Sequence, residues 1–147
     1  MSTITYETYK LPCRVYYENT DAGGIVYHGQ YLNFAERGRT ELLRHIGYQS
    51  SDLVKELGVM FVARFLDVDY YAPAFLDDLL EVHTSISVLK NTSFTMRQTL
   101  FRQKDGINEK IAELRVTLVC VKADTIKPVR VPEQLRQGFS PYIEKEE

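Results

Sequence analysis

A chain of 147 residues has the length of one compact domain, and with 44% hydrophobic residues it can bury a core. Its 18 basic and 20 acidic residues give a formal net charge of −2 and are mixed along the chain, which excludes a nucleic-acid binder working by bulk charge. There is no CxxC or HExxH spacing, and His28, His45 and His83 are scattered, so neither a metal site nor a cofactor is expected. Cys13 and Cys120 each sit in an apolar run and read as buried free thiols of a reducing compartment. Residues 1–7 have no basic or apolar leader pattern, and no apolar run approaches the roughly 20 residues that span a bilayer. The expectation is a cytoplasmic protein with no stable membrane insertion. A sheet domain of this size gains core by pairing with a copy of itself.

In chain order, the first strand is expected over about Tyr9 to Tyr17, with Leu11, Cys13, Val15 and Tyr17 on one face. Pro12 suits an edge strand or a bulge. The run Glu18-Asn19-Thr20-Asp21-Ala22-Gly23-Gly24 is rich in turn formers. A helix follows from about Gln30 to Ile46, where Tyr31, Phe34, Ala35, Gly38, Leu42 and Ile46 make one apolar stripe. Arg37 and Glu41 are spaced for an i,i+4 pair. Gly38 costs about 1 kcal/mol relative to Ala in a helix interior, and its place on the stripe implies close approach to a sheet. Gly47 stops the helix, and a short second helix is expected from Ser51 to Leu57, ending at Gly58.

Four strands are then predicted: Val59 to Tyr71, in a mixed pattern, and Leu79 to Lys90, Ser93 to Gln103 and Lys110 to Lys122, in clear alternation. Asn91-Thr92 and Lys104-Asp105-Gly106 are tight turns, so the last three strands form an antiparallel meander. The remainder reads as a tail after residue 135 or so, with one helical turn near Pro132 to Arg136 and a charged end from Glu144 to Glu147. One strand, one long striped helix and four strands make a single α+β domain over 1–147, with its core over about 9–135.

The segment from Arg14 to His28, RVYYENTDAGGIVYH, resembles hotdog-fold thioesterases of the YbgC and 4-hydroxybenzoyl-CoA thioesterase type. The following YLNFAERGRTE, Tyr31 to Glu41, resembles the helix of the YbgC branch in particular. The resemblance implies one helix wrapped by a curved antiparallel five-stranded sheet, and two copies paired edge to edge with active sites at their interface. It also implies a homodimer or homotetramer and a link to lipid metabolism. The implied activity is hydrolysis of short- to medium-chain or aromatic acyl-CoA to free acid and coenzyme A, with acyl carrier protein as a possible partner.

Thioester hydrolysis needs a base or nucleophile at the carbonyl carbon and donors for the oxyanion. Asp21 supplies the first, as general base on water or by direct attack, and the residues leave both routes open. A helix start supplies the second, through N–H groups without internal partners. The resemblance assigns the oxyanion donor to the His28 amide. Gly23 and Gly24 allow positive φ and close approach of a thioester. Tyr16, Gly24, Val26 and Tyr27 are expected around the substrate, with Phe61, Val62 and Ala63 along the acyl group. Glu36 is a further carboxylate candidate. Lys90, Asn91, Thr92 and Ser93 occupy the turn where benzoyl-type relatives carry a basic cluster, and only Lys90 keeps the charge here. Each feature has a plainer reading: an Asp before glycines often caps its own turn, and Lys90 to Ser93 make an ordinary hairpin. A non-catalytic acyl-CoA or carrier-protein binding module and a hydroxyacyl-thioester dehydratase are the competing functions.

Overall fold

The computed structural model describes residues 6–145. Residues 1–5, on which most of the expectation for the chain's start rests, and Glu146 and Glu147 of the charged end lie outside the described residues. Strand β1 (Tyr9–Arg14) is followed by a single 3-10 turn, Tyr17–Asn19, and the loop that carries Asp21. Helix α1 spans Gln30–His45, and α2 is a short turn, Ser50–Asp52, that runs into a π turn, Leu53–Leu57. Gly58 closes it at φ 67. Strands β2 (Val59–Tyr70), β3 (Leu79–Leu89), β4 (Ser93–Lys104) and β5 (Ile107–Lys122) follow, then α3 (Glu133–Phe139) and a 3-10 turn, Ser140–Tyr142.

The five strands form one antiparallel sheet in the order β1-β3-β4-β5-β2. Its inner face wraps α1, giving the α+β hotdog arrangement. Pro12 sits on β1, an edge strand, where the missing N–H breaks no ladder bond. The first strand ends three residues earlier than the alternation implies, because Tyr17 turns into the 3-10 segment and is exposed.

The mixed pattern of β2 has a geometric cause. Ala63 faces Leu118 and Phe65 faces Thr117, leaving Arg64 as the extra residue of a bulge. The bulge re-phases the strand, so Phe61 and Ala63 share the inner face with Leu66 and Val68, while Val62 and Phe65 share the outer one. Asp105 and Gly106 both have positive φ, which makes the β4–β5 connection a two-residue turn and lets β5 begin at Ile107.

Gly38 lies against the sheet as its position on the stripe implies. A Cβ there would come within 2.8 Å of Val82 Cγ1 and 3.0 Å of Gln98 Nε2. The fully buried Gln98 amide donates to the Ala35 carbonyl and to Thr84 Oγ1, and its Oε1 accepts from Arg39. Glu41 pairs with Arg44 one turn on, rather than with Arg37, whose guanidinium lies over the Phe34 ring.

The C-terminal segment differs from the expected tail. Leu135, Phe139 and Tyr142 are buried in the same cluster as Leu42, Phe94 and Met96. Ile143 pairs alongside Ile86 of β3, and Glu144 bonds Ser85 and Arg97. The helical turn expected near Pro132 to Arg136 is present as α3, and its apolar positions are core rather than part of a solvated tail. Both cysteines are free and buried. Burial raises the Cys13 thiol pKa against the opposing pull of Arg37, and pushes that of Cys120 up to about 11.

Candidate active site

The loop before α1 is a small hairpin. Asn19 O accepts from the Tyr27 N–H (3.0 Å), Thr20 bridges Val26, and the Asp21 N–H donates to Ile25 O (2.9 Å). Asp21 therefore sits at the hairpin tip, and the strand returning from it leads into His28 and the helix. A turn from Asp21 O to the Gly24 N–H (3.1 Å) closes the tip. Of its two glycines only Gly24 uses the left-handed region, at φ 78.

Asp21 caps its own turn, and that occupies one of its two oxygens. Oδ1 accepts from the N–H groups of Gly23 (2.9 Å) and Ile25 (3.3 Å). Among the described residues no donor is paired with Oδ2, and the side chain is exposed. Capping the turn therefore occupies one oxygen of the carboxylate and leaves the other available.

His28 stacks its exposed ring on Tyr27, with centroids 4.2 Å apart. Its carbonyl accepts from the Tyr70 hydroxyl at 3.1 Å. Among the described residues its N–H has no protein acceptor. Gln30 opens α1, so this unpaired donor stands at the positive end of the helix.

A second loop backs the hairpin. The Val26 N–H donates to Ala74 O (2.9 Å), the Leu76 N–H to Gly24 O (3.0 Å), and Ile25 bridges Phe75. Arg102 holds that loop, donating to Asp78 Oδ2 (2.6 Å), Glu109 Oε1 (3.0 Å) and Pro73 O (3.0 Å). Tyr31, whose own pKa burial raises, accepts the Ala74 N–H through its hydroxyl.

Within one chain the expected site residues fall into separate cavities. Val26 and His28 line one of about 330 Å³ with Tyr31, Tyr70 and Tyr71. Phe61 and Ala63 line another of about 390 Å³ with Glu36, Arg39 and Leu118. Tyr16 lines a third, about 550 Å³, between β1 and α1, where Glu36 also contributes. Val62 faces the outer side of the sheet, away from Phe61 and Ala63. Tyr27 and Gly24 belong to the hairpin. Burial lowers the Arg39 pKa against the opposing effect of Glu36.

Lys90 to Ser93 lie at the β3–β4 turn. Lys90 and Asn91 are exposed, Thr92 is half-buried with its carbonyl taken by the Cys120 N–H, and Ser93 is buried. The fold brings two cations to this turn that the linear sequence leaves 39 or more positions away from Asn91. Arg130 donates to Asn91 Oδ1, and Arg136 to the carbonyls of Lys90 and Asn91. Asn19 stands in the sequence among turn formers and Tyr70 inside a strand, and only the fold brings them to Gln30 and to His28.

A family model described as "Thioesterase-like superfamily" matches residues 15–139. The chain is 43% identical over 131 residues to the "Acyl-CoA thioester hydrolase YbgC" of Escherichia coli O6:H1, covering 89% of this chain and 95% of that protein. It is 40% identical to the "Acyl-CoA thioesterase YbgC" of Haemophilus influenzae, covering 89% of this chain and 93% of that protein. The crystal structure of a probable thioesterase from Bartonella henselae aligns with a TM-score of 0.78 at 32% identity, covering 85% of this chain and 99% of the other. Matched along most of its length, with the hairpin, helix and sheet in the expected order, the chain belongs to the thioesterase-like superfamily, in the hotdog-fold branch of the YbgC type.

Proposed function

We propose that this chain is an acyl-CoA thioester hydrolase in which Asp21 acts at the thioester carbonyl and the His28 N–H receives the oxyanion. The single observation that carries the reading is the division of labour on Asp21. One oxygen is anchored by two backbone donors, and among the described residues the other is free at a hairpin tip whose return strand ends in an unpaired N–H. As a general base, Asp21 takes a proton from water as the water oxygen attacks the carbonyl carbon. The C–S bond then breaks and the thiolate of coenzyme A leaves. As a nucleophile, the same oxygen forms a mixed anhydride that water then opens. Neither route calls for a metal or a cofactor.

The acyl group, short- to medium-chain or aromatic, lies between the helix and the partner copy and against Phe61 and Ala63, whose cavity is separate from that of His28 within one chain. The coenzyme phosphates lie toward the exposed Lys90, with Arg130 as a second cation beside it. Two copies associate along β2. That 12-residue edge strand exposes Val62, Phe65, Leu66 and Tyr70, each 40–52%, and an open apolar edge of this kind favours pairing. The buried free thiols support a reducing, cytoplasmic setting.

Coenzyme A release, followed with a thiol reagent over graded acyl-CoAs, an aromatic acyl-CoA and an acyl carrier protein thioester, tests the reading. Turnover on at least one class is expected, with a loss of about a hundredfold or more for Asp21→Asn. Undiminished turnover in the variant moves the chemistry elsewhere. Acyl-CoA binding without turnover in either protein assigns a binding module.

A further inference from the structure

We propose that Asn19 is a positioning residue for this hydrolysis: its side-chain amide locks the hairpin that carries Asp21 to the first residue of α1. The inference rests on the reading of Asp21 and His28 given above and adds to it the part that holds them in register. Asn19 is 3% exposed in a loop whose other members are largely solvated. Its Oδ1 accepts the Tyr16 N–H at 2.8 Å, and its Nδ2 donates to Gln30 Oε1 at 2.9 Å. Its backbone is also committed, N–H to Tyr16 O (2.9 Å) and carbonyl to the Tyr27 N–H (3.0 Å).

One residue therefore ties three pieces together: the end of the first strand, the hairpin and the helix start. Two positions on lies Asp21, and one position beyond Tyr27 lies His28. The separation between the free carboxylate oxygen and the unpaired N–H is set by this hairpin and by its angle to α1. Among the described residues, the Asn19 amide is the group that joins the hairpin to α1 side chain to side chain, since Thr20 and Val26 meet as a backbone bridge within the hairpin. Misplacing reacting groups by about 1 Å can cost on the order of a hundredfold in rate, so a brace at this point acts on turnover more than on substrate binding.

The bond pattern makes a test possible that separates positioning from simple stability. Asn19 both accepts and donates. In Asn19→Asp the new carboxylate only accepts, yet Gln30 can rotate its amide to present Nε2 instead of Oε1, so that variant keeps both bonds. Gln30→Glu keeps an acceptor for Asn19 Nδ2. The double variant Asn19→Asp/Gln30→Glu sets two acceptors face to face and breaks the brace. Lowering the pH returns it, because two adjacent carboxyls share a proton more readily than isolated ones.

The experiment is steady-state coenzyme A release by the full chain, for wild type, both single variants, the double variant and Asn19→Leu, with folding checked by circular dichroism and rates taken well below each melting temperature. The two single variants are expected within about threefold of wild type. The double variant and Asn19→Leu should lose about ten- to a hundredfold in kcat with KM within about threefold. The ratio of double-variant to wild-type kcat should rise on going from mildly alkaline to mildly acidic buffer, while Asn19→Leu stays low. A double variant that keeps wild-type kcat overturns the proposal, as does an Asn19→Asp variant as damaged as Asn19→Leu, or losses confined to melting temperature. If wild type is active and Asp21→Asn is not, such a result removes the brace and leaves the hydrolase reading standing. If wild type itself turns over no thioester, both fall.

Discussion

The Tyr70 hydroxyl donates to the carbonyl of His28 at 3.1 Å, across 42 positions of sequence. The last residue of β2 thereby fixes the peptide that joins His28 to the helix cap, Gly29. It ties the helix entrance to the edge strand that also carries Phe61 and Ala63.

Tyr70→Phe removes that bond and nothing else of its shape. Because Tyr70 is about half exposed, the stability cost is expected to be about 0.5–1 kcal/mol. Turnover should fall several-fold as the helix entrance loosens, with KM nearly unchanged. Urea melts and coenzyme A release on the same preparation check both numbers.

Gly38→Ala gains about 1 kcal/mol of helix propensity but places a methyl group 2.8 Å from Val82 Cγ1 and 3.1 Å from Thr84 Oγ1. Both neighbours are buried, and Gln98, at 3.0 Å, is held by bonds to Ala35 and Thr84. Neither side can give way without loss, so a net destabilisation of about 1–2 kcal/mol is expected in chemical denaturation. A stabilised variant would mean that α1 does not press on the sheet.

Phe139→Ala tests whether the C-terminal segment is core. Phe139 is fully buried, its ring centroid 5.0 Å from that of Phe94, and a cavity of that size costs about 3–5 kcal/mol. Differential scanning calorimetry should show a melting temperature lowered by roughly 10 °C or more. An exposed tail would leave it unmoved.

Cys120 titrates from an ordinary thiol value of 9.0 to about 11 in the folded chain, because burial disfavours the thiolate. A raised folded value means the contribution is complete below pH 9.0 and is lost as pH climbs toward about 11, since the unfolded chain ionises first. Stability should therefore fall across that window, and Cys120→Ala should flatten this part of the slope in pH-dependent melts. The same burial keeps both thiols silent toward a thiol reagent in the folded protein, which can be counted directly before and after denaturation.

The sequence by itself determined the helix, because Tyr31, Phe34, Ala35, Gly38 and Leu42 recur at a period only one buried face explains. It likewise determined the meander, where period-two alternation and short turns leave little choice of pairing, and the turn that exposes Asp21, because glycine and aspartate there have few other uses. Local signals reach only a few residues, however. The bulge at Arg64 is invisible until β5 supplies the opposing register, and so the faces of Phe61 and Val62 are decided in the sheet. The charged C-terminal stretch hid the burial of Leu135, Phe139 and Tyr142, since a short amphipathic turn and a solvated tail have much the same composition. The brace of Asn19 on Gln30 and the gathering of Arg130 and Arg136 at Lys90 and Asn91 are contacts between segments that meet only once the chain is folded. A polar side chain in a turn reads as solvated in a sequence, and only the fold shows which of its hydrogen bonds are made to protein.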